Sequence, residues 1–166
     1  KMEFDRMVEA KDYQALKACG EKMKEILNDL DKLNAFHPYC SLDKWMDDAR
    51  KMGDSPRLKD YYEKNARNLI TTWGGSLNDY ASRSWAGLIS DYYAKRWEVY
   101  INTFINAAEK GVEVDQKQLE DELKEIEAGW VNATDRKDIR KDVHSTNDGL
   151  LSFSTFLFSK YQRLVK

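Results

Sequence analysis

The sequence is poor in the residues that interrupt helices. Its 166 residues include only two prolines and eight glycines, whereas Lys, Glu, Leu and Ala, which favour helices, are abundant. We find no alternating apolar and polar pattern of useful length, as a β-strand with one buried face would show. The composition therefore predicts a globular protein built from α-helices.

Other scarcities exclude several classes of function. The chain has two histidines, too few for a histidine-rich metal site, and Glu-x-x-His and His-Glu-x-x-His motifs are absent. The net charge of −2 does not indicate the positively charged surface that proteins use to bind nucleic acid or an anionic membrane. No apolar run is long enough to cross a bilayer. We therefore expect no metal, no nucleic acid and no membrane as partners.

The two cysteines, Cys19 and Cys40, are predicted to be free thiols. One helix from Cys19 to about Phe36 would separate them by roughly 25 Å, at 1.5 Å of rise per residue. A disulfide requires Cα atoms within about 7 Å of each other.

Capping signals divide the apolar patterns into helices. The first long pattern begins after Asp12 and ends near Phe36, and one stripe of its side chains is predicted to face a partner helix. That stripe consists of Leu16, Cys19, Met23, Ile26, Leu30 and Leu33. Further helices are predicted to begin at Ser41, at Ser55-Pro56 and at Asp115-x-x-Gln118.

The longest apolar pattern follows a glycine pair. We predict that Gly74-Gly75 ends one helix and that Asn78 or Asp79 caps the next, which runs to Gly111. Trp85 would then lie well inside this helix, as a core residue.

Together these patterns predict an all-α bundle of about six helices in one domain, residues 1–166, with mostly antiparallel neighbours. The long helix allows a bend near Ala94. The polar stretch from Asn132 to Asn147 has no clear period and is predicted to be a loop, and Asp148-Gly149 opens the last helix.

Acidic residues surrounded by aromatics could in principle serve a glycosidase-type mechanism, which needs two carboxyls at a defined separation. The sequence does not place such a pair. The favoured interpretation is ion pairing along helix surfaces, so that no catalytic residue is assigned: Glu63 and Asp91 would pair with Arg67, Lys95 or Arg96, and Asp79 would be a charge at a helix start.

Aromatic residues concentrate around the glycine break. Trp73, Tyr80 and Trp85 flank the predicted loop, and loops often carry function. Such rings could stack on the apolar face of a sugar, or they could form part of the core. Spacing alone leaves both alternatives open.

The stretch from Tyr61 to Trp97 resembles the C-terminal helical domain of the α-N-acetylglucosaminidases, glycoside hydrolase family 89. The resemblance extends over most of the chain, from roughly Lys11 to Tyr161. It is carried by Asp29-Leu30-Asp31-x-Leu33, Trp45-x-x-Asp48-Ala49-Arg50, Glu63-x-x-Ala66-Arg67-x-x-Ile70-Thr71-x-Trp73-Gly74, Asp79-Tyr80-Ala81, Trp85-Ala86-Gly87-Leu88, Tyr92-Tyr93 and Arg96-Trp97.

The resemblance implies that the chain is the C-terminal fragment of a larger glycosidase. In that family an N-terminal domain and a (β/α)₈ barrel precede the helical domain. The enzyme removes terminal α-linked N-acetylglucosamine from glycans with retention, using two glutamates of the barrel about 5 Å apart. The resemblance implies no cofactor, no catalytic residue in this chain, and a secreted, periplasmic or lysosomal parent.

The implied partners are the barrel domain of the same parent chain and a glycan. Trp73, Leu77 and Tyr80 match positions that line the substrate pocket from the helical side, and Arg67 and Arg96 match positions with a structural role. The surface that meets the barrel should be apolar or aromatic. The alternative is a free-standing helical module that binds carbohydrate or protein without catalysis.

Overall fold

A computed structural model describes residues 2–73, 82–134 and 147–164 of the chain. Seven α-helices, a π-helical segment and a 3₁₀ turn account for the regular structure there, and no β-strand occurs within these ranges. The predicted all-α bundle is thus confirmed. The elements are α1 (Met2–Ala10), α2 (Tyr13–Asn34), α3 (Leu42–Lys51), α4 (Pro56–Leu69), the π segment (Ile89–Tyr93), α5 (Ala94–Lys110), α6 (Gln116–Asn132), α7 (Asn147–Tyr161) and the 3₁₀ turn (Gln162–Leu164).

The helix starts follow the predicted caps. Each capping side chain accepts a hydrogen bond from the backbone N–H three residues further on, which satisfies one of the unpaired donors of the first turn. The caps are Asp12, Ser41, Ser55 and Asp115. Gly111 ends α5 in the left-handed conformation, with φ of 67°, as expected for a C-terminal glycine.

Two hydrophobic clusters hold the helices together. The first core joins α3, α4, α6 and the start of the π segment, and the second core joins α1, α2 and α5. The first core contains Leu42, Met46, Ala66, Ile70, Leu88, Tyr92, Trp130 and Val131. The second contains Phe4, Leu16 and Ile101, with Met23, Trp97 and Phe104 among the partly buried residues packed around it.

The prediction that one helix ends at Gly74-Gly75 was wrong, and the predicted cap of the next helix was not tested. Helix α4 ends at Leu69, well before Gly74-Gly75. The hydroxyl of Thr71 donates to the carbonyl oxygen of Arg67 at 2.9 Å, and the same oxygen accepts from the N–H of the C-cap residue Ile70 at 3.3 Å. The predicted cap residues Asn78 and Asp79 lie outside the described residues.

The next helix begins later than predicted, at Leu88, because the preceding residues pair with another part of the chain. Ala86 forms an isolated parallel bridge with Ser41, and its N–H donates to the carbonyl oxygen of Cys40 at 2.8 Å. Gly87 then turns the chain with φ of 82°, a conformation that favours glycine. The sequence allows a bend near Ala94, and the structure has a π segment that ends at the residue before it.

Helix α2 departs from its predicted apolar stripe near its C-terminus. Leu30 is 39% exposed, whereas the acidic neighbours Asp29 and Asp31 are buried. These two side chains point to different partners, because Asp29 contacts α7 and Asp31 contacts the start of the π segment. The stripe prediction failed here because α2 contacts α1, α5, the π segment and α7, rather than one partner helix.

The prediction of free cysteines is confirmed for Cys19 and Cys40. Burial, followed by the nearby carboxylate of Glu3, raises the pKa of the Cys19 thiol. Within the described ranges, no helix has the length and apolar character needed to cross a membrane.

Candidate functional site

Trp73 has an unusual backbone conformation for a bulky residue. Its φ is 54°, in the left-handed region that large side chains rarely adopt. The N–H of Trp73 donates to the carbonyl oxygen of Asn68 at 2.7 Å, which ties this residue to the last turn of α4. Its side chain is 52% exposed, so the ring is presented at the surface instead of being packed in either core. Strained residues of this kind cluster at ligand-binding sites.

The other two predicted site residues, Leu77 and Tyr80, lie outside the described residues. The structure therefore describes one of the three, Trp73.

Trp85 was wrongly placed inside a helix by the sequence. It lies in the non-helical stretch before Gly87, where it is partly buried and packs on the first core. Its ring centroid is 5.7 Å from that of Trp45, and the guanidinium of Arg83 is 5.9 Å from the Trp85 ring. The core assignment is thus confirmed, although the helix that motivated it is absent at this position.

A buried ion-pair network lies beneath the C-terminal half of α4. The carboxylate of Glu63 accepts hydrogen bonds from Nε and Nη2 of Arg67 at 3.0 and 2.6 Å. Its other oxygen accepts from Nη1 of Arg50 on α3 at 2.6 Å. Arg50 also donates to Asp60 at 2.8 Å and to the carbonyl oxygen of Thr134 at 3.3 Å. The predicted pair of Glu63 with Arg67 is confirmed, and this occupation of both Glu63 oxygens is incompatible with an acid/base role.

Arg67 links this network to α6 and the first core. Its side chain is 1% exposed, and its Nη1 donates to the carbonyl oxygen of Trp130 at 3.2 Å. The guanidinium also stacks over the Trp130 ring, 4.6 Å from its centroid, and Tyr92 packs on the same ring at 4.9 Å. Arg96 donates to the hydroxyl of Tyr92 at 3.1 Å. These contacts support the structural roles expected of Arg67 and Arg96.

Two acidic residues whose roles the sequence did not reveal are Asp29 and Asp31. The carboxylate of Asp31 accepts from the N–H groups of Gly87 and Ser90 at 2.8 and 3.1 Å, and so caps the π segment from another helix. Asp29 accepts from Lys160 and Tyr161 on α7. The available signal was the pair of acids on either side of Leu30 of the predicted apolar stripe, because acids that become buried next to such a stripe need partners.

No cluster of three potential metal ligands is found among the described residues. The part of the chain that the structure describes therefore offers no metal centre to add to the site at Trp73.

The known proteins that this chain resembles are alpha-N-acetylglucosaminidases and other family 89 glycoside hydrolases. The sequence profile of the family described as the alpha-N-acetylglucosaminidase C-terminal domain matches residues 1–153. The human protein named alpha-N-acetylglucosaminidase is 31% identical over 123 residues, which are 73% of this chain and 17% of the human one.

Solved structures of a family 89 glycoside hydrolase from Clostridium perfringens have the same fold. One, in complex with its substrate GlcNAc-alpha-1,4-galactose, has a TM-score of 0.81 and 28% identity, and the match covers 95% of this chain and 18% of that one. Another, in complex with 2-acetamido-1,2-dideoxynojirmycin, has a TM-score of 0.81 and 27% identity, with coverage of 96% and 19%. The chain spans less than a fifth of the length of each of these relatives.

Proposed function

We propose that this chain, which belongs to the family of α-N-acetylglucosaminidase C-terminal domains, forms one wall of the substrate pocket of a larger glycoside hydrolase. The reaction would be hydrolysis of terminal α-linked N-acetylglucosamine from a glycan. The observation that carries the proposal is the exposed ring of Trp73, which a backbone with positive φ holds just beyond the end of α4. The related family 89 enzyme from Clostridium perfringens was solved in complex with its substrate GlcNAc-alpha-1,4-galactose, which carries an α-linked sugar of this kind.

The chemical step would take place outside this chain. A retaining mechanism uses two carboxyl groups about 5 Å apart, one as acid/base and one as nucleophile. We assign both to glutamates of a barrel domain, as the family resemblance implies. Glu63, one of the acidic residues with aromatic neighbours in the sequence, has both oxygens bound by arginines and cannot exchange a proton with a substrate without losing them.

The contribution of this chain would be to position the sugar. The apolar face of a pyranose ring stacks on an indole, and the rigid ring offers contact area at low cost in conformational entropy. The left-handed backbone of Trp73 fixes the direction in which the ring leaves the helix end. In this proposal, Leu77 and Tyr80 complete the wall.

The exposed apolar side chains of α4 would face the barrel domain. They include Leu58, Tyr61 and Leu69, with exposed fractions of 40%, 57% and 37%. Leu58 and Leu69 are eleven residues apart, so they lie within about 20° of each other around the helix axis. Apolar residues exposed together on one helix face are typical of a surface that is covered in the complete protein.

The test is hydrolysis of a chromogenic α-N-acetylglucosaminide by this fragment alone and by the product of the whole gene. We expect activity only in the longer protein. Activity in the fragment would contradict the assignment of the glutamates to another domain. Inactivity of both would favour the alternative, a helical module that binds carbohydrate or protein without catalysis.

A further inference from the structure

Helices α5 and α6 are joined by a short turn, and a cleft opens between them beside this turn. Gly111 ends α5 with φ of 67°, and α6 begins at Gln116. The cleft encloses about 410 Å³. This volume lies within the range of about 300–1,000 Å³ that is usual for small-molecule sites, near its lower limit. The cleft therefore has the size of a site for a small ligand.

The cleft has an apolar floor and polar walls. Ala107 on α5 and Leu119 on α6 are buried where the two helices meet. Asn102 and Asn106 lie about one turn apart on the α5 wall, and Gln118 lies on the α6 wall. All three amide residues are exposed. Apolar surface combined with a small number of polar groups is typical of sites that bind small molecules.

The fold does not use these three amide side chains. None of them forms a hydrogen bond with the part of the chain that the structure describes. Asn34 and Asn132 differ in this respect, because their side chains donate to the carbonyl oxygen four residues earlier at 2.8 and 2.7 Å. Asparagine is also unfavourable in the middle of a helix, since its side chain competes for backbone groups. The amides of the cleft therefore keep their donors and acceptors available to a ligand.

The charges that line the cleft disfavour an anionic ligand. They belong to one lysine, Lys110, and to three acidic residues, Glu113, Asp115 and Glu122. The acidic residues are exposed, so water and salt also weaken their attraction for a cation. The groups that are left to recognise a ligand are the neutral amides, each of which offers both a donor and an acceptor.

We propose that the cleft between α5 and α6 binds a neutral saccharide that carries an acetamido group. The N–H and the carbonyl oxygen of an acetamido group match the acceptor and the donors of an Asn or Gln side chain. Hydroxyl groups along the edge of the sugar would bond to the remaining amides. The less polar face of the sugar would cover Leu119 and the side chain of Val112, which is 59% exposed at the turn.

This site is separate from the wall proposed at Trp73. Trp130 accepts a hydrogen bond from Arg67 of α4, and twelve residues of α6 separate it from Gln118, which corresponds to about 18 Å along the helix. The cleft therefore lies toward the other end of α6. A second saccharide site would hold a glycan on the protein and raise its effective concentration. The proposal does not depend on the role of Trp73 or on hydrolysis.

The test is protection of a cysteine at the cleft by N-acetylglucosamine, in the product of the whole gene. Cys19 and Cys40 are replaced by serine, and a single cysteine is introduced as Val112→Cys at the cleft. The matched control is Glu109→Cys, at an exposed position of α5 that does not line the cleft. Maleimide labelling rates are measured at increasing concentrations of the sugar. N-Acetylglycinamide, which has the amide groups without a sugar ring, is the comparison ligand.

We expect N-acetylglucosamine to slow labelling at position 112 by about tenfold or more as the site saturates, because only the unoccupied protein reacts. Labelling at position 109 should not change. Unchanged labelling at position 112, or equal slowing at both positions, would overturn the proposal. Slowing of the same size by N-acetylglycinamide would overturn it too, because the cleft would then recognise amides rather than a saccharide.

A second set of variants tests the amide side chains themselves. Asn106→Ala and Gln118→Ala, each added to Val112→Cys, should remove most of the protection, and alanine at these helical positions should preserve the fold. Gln116→Ala is the control, since Gln116 is exposed on the same helix and does not line the cleft. Full protection in the Asn106 and Gln118 variants would contradict the proposal. Hydrolysis is not measured, so the result is separate from the test of the proposed function.

Discussion

The carboxylate of Glu63 and the guanidinium of Arg67 form a buried pair one helical turn apart, joined by two hydrogen bonds of 3.0 and 2.6 Å. Both side chains are almost completely buried, and Arg50 adds a second cation on the other carboxylate oxygen. Removing Arg67 would leave the buried Glu63 with the partly exposed Arg50 as the remaining cation of this group, which costs far more than the loss of a surface pair.

We therefore predict that Arg67→Ala lowers the free energy of unfolding by about 3–5 kcal/mol. Arg67→Lys should also be destabilising, because an ammonium group cannot donate to Glu63 and Trp130 with the geometry of the guanidinium or stack on the indole ring. Denaturant unfolding measures both variants. The control is Arg57→Ala, at an exposed position of the same helix, which should change stability by about 0.5 kcal/mol or less. Equal effects at Arg57 and Arg67 would contradict the prediction.

Trp73 allows backbone strain to be separated from the role of the ring. Trp73→Gly removes the side chain and also the strain of a positive φ, whereas Trp73→Ala removes the ring alone. In the longer glycoside hydrolase that we propose, we expect both variants to lose about tenfold or more in kcat/KM. The glycine variant should keep the wild-type melting temperature or exceed it. A fall in melting temperature with unchanged kinetics in both variants would assign the ring a structural role only.

Two glycines provide a matched test of helix packing. A Cβ at Gly20 on α2 would lie 2.6 Å from Cγ2 of the buried Ile101 on α5, whereas a Cβ at Gly129 on α6 would meet no atom within 4 Å. We predict that Gly20→Ala destabilises the fold by about 1–3 kcal/mol. Gly129→Ala should stabilise it by about 0.5–1 kcal/mol, because alanine is the better helix former. Thermal unfolding of the two variants should give opposite shifts, and shifts of the same sign would contradict the packing at Gly20.

The hydrogen bonds from Lys160 and Tyr161 on α7 to Asp29 on α2 should weaken in acid. Burial alone would raise the pKa of the Asp29 carboxyl, but hydrogen bonds from Lys160 and Tyr161 outweigh it, and the pKa falls below its ordinary value of 3.8. The neighbouring Glu25 likewise has a lowered pKa because it accepts from Lys160 and Lys22. A lowered pKa in the folded state stabilises the fold above the ordinary pKa, and this contribution is lost as the pH falls through the folded value.

Asp29→Asn should therefore lower stability at neutral pH and should differ progressively less from the wild type below about pH 4. The measurement is the difference in unfolding free energy between the two proteins as a function of pH, which cancels the titration of other acids. A difference that stays constant from pH 7 to about pH 2 would show that Asp29 is not held in its charged form by α7.

The sequence predicted those features of the fold that depend on neighbouring residues. The caps Asp12, Ser41, Ser55 and Asp115 act within one turn, so the sequence alone locates them. The late start of the helix at Leu88 could not be predicted in this way, because it depends on pairing with Ser41 and on capping by Asp31.

The same distinction applies to the candidate site. The aromatic cluster and the pair of Glu63 with Arg67 follow from spacing along a helix. The positive φ of Trp73 does not, because it arises where α4 ends at Leu69, five residues before the first of the glycines that were expected to end it. Likewise, the exposure of Leu30 reflects the presence of neighbours on two sides of α2, which a single apolar stripe does not reveal.

The cap that Asp31 provides has a consequence for the order of folding. Its carboxylate meets Gly87 and Ser90 across 56 and 59 positions of sequence, and closing a loop of that length costs about 3–4 kcal/mol in chain entropy. Two hydrogen bonds to a charged group contribute a stabilising free energy of similar size. They therefore do not nucleate this contact by themselves. The packing of α2 against α5 must close the loop first, and the cap then forms after the main barrier. Removing it with Asp31→Ala should accelerate unfolding and leave the folding rate nearly unchanged.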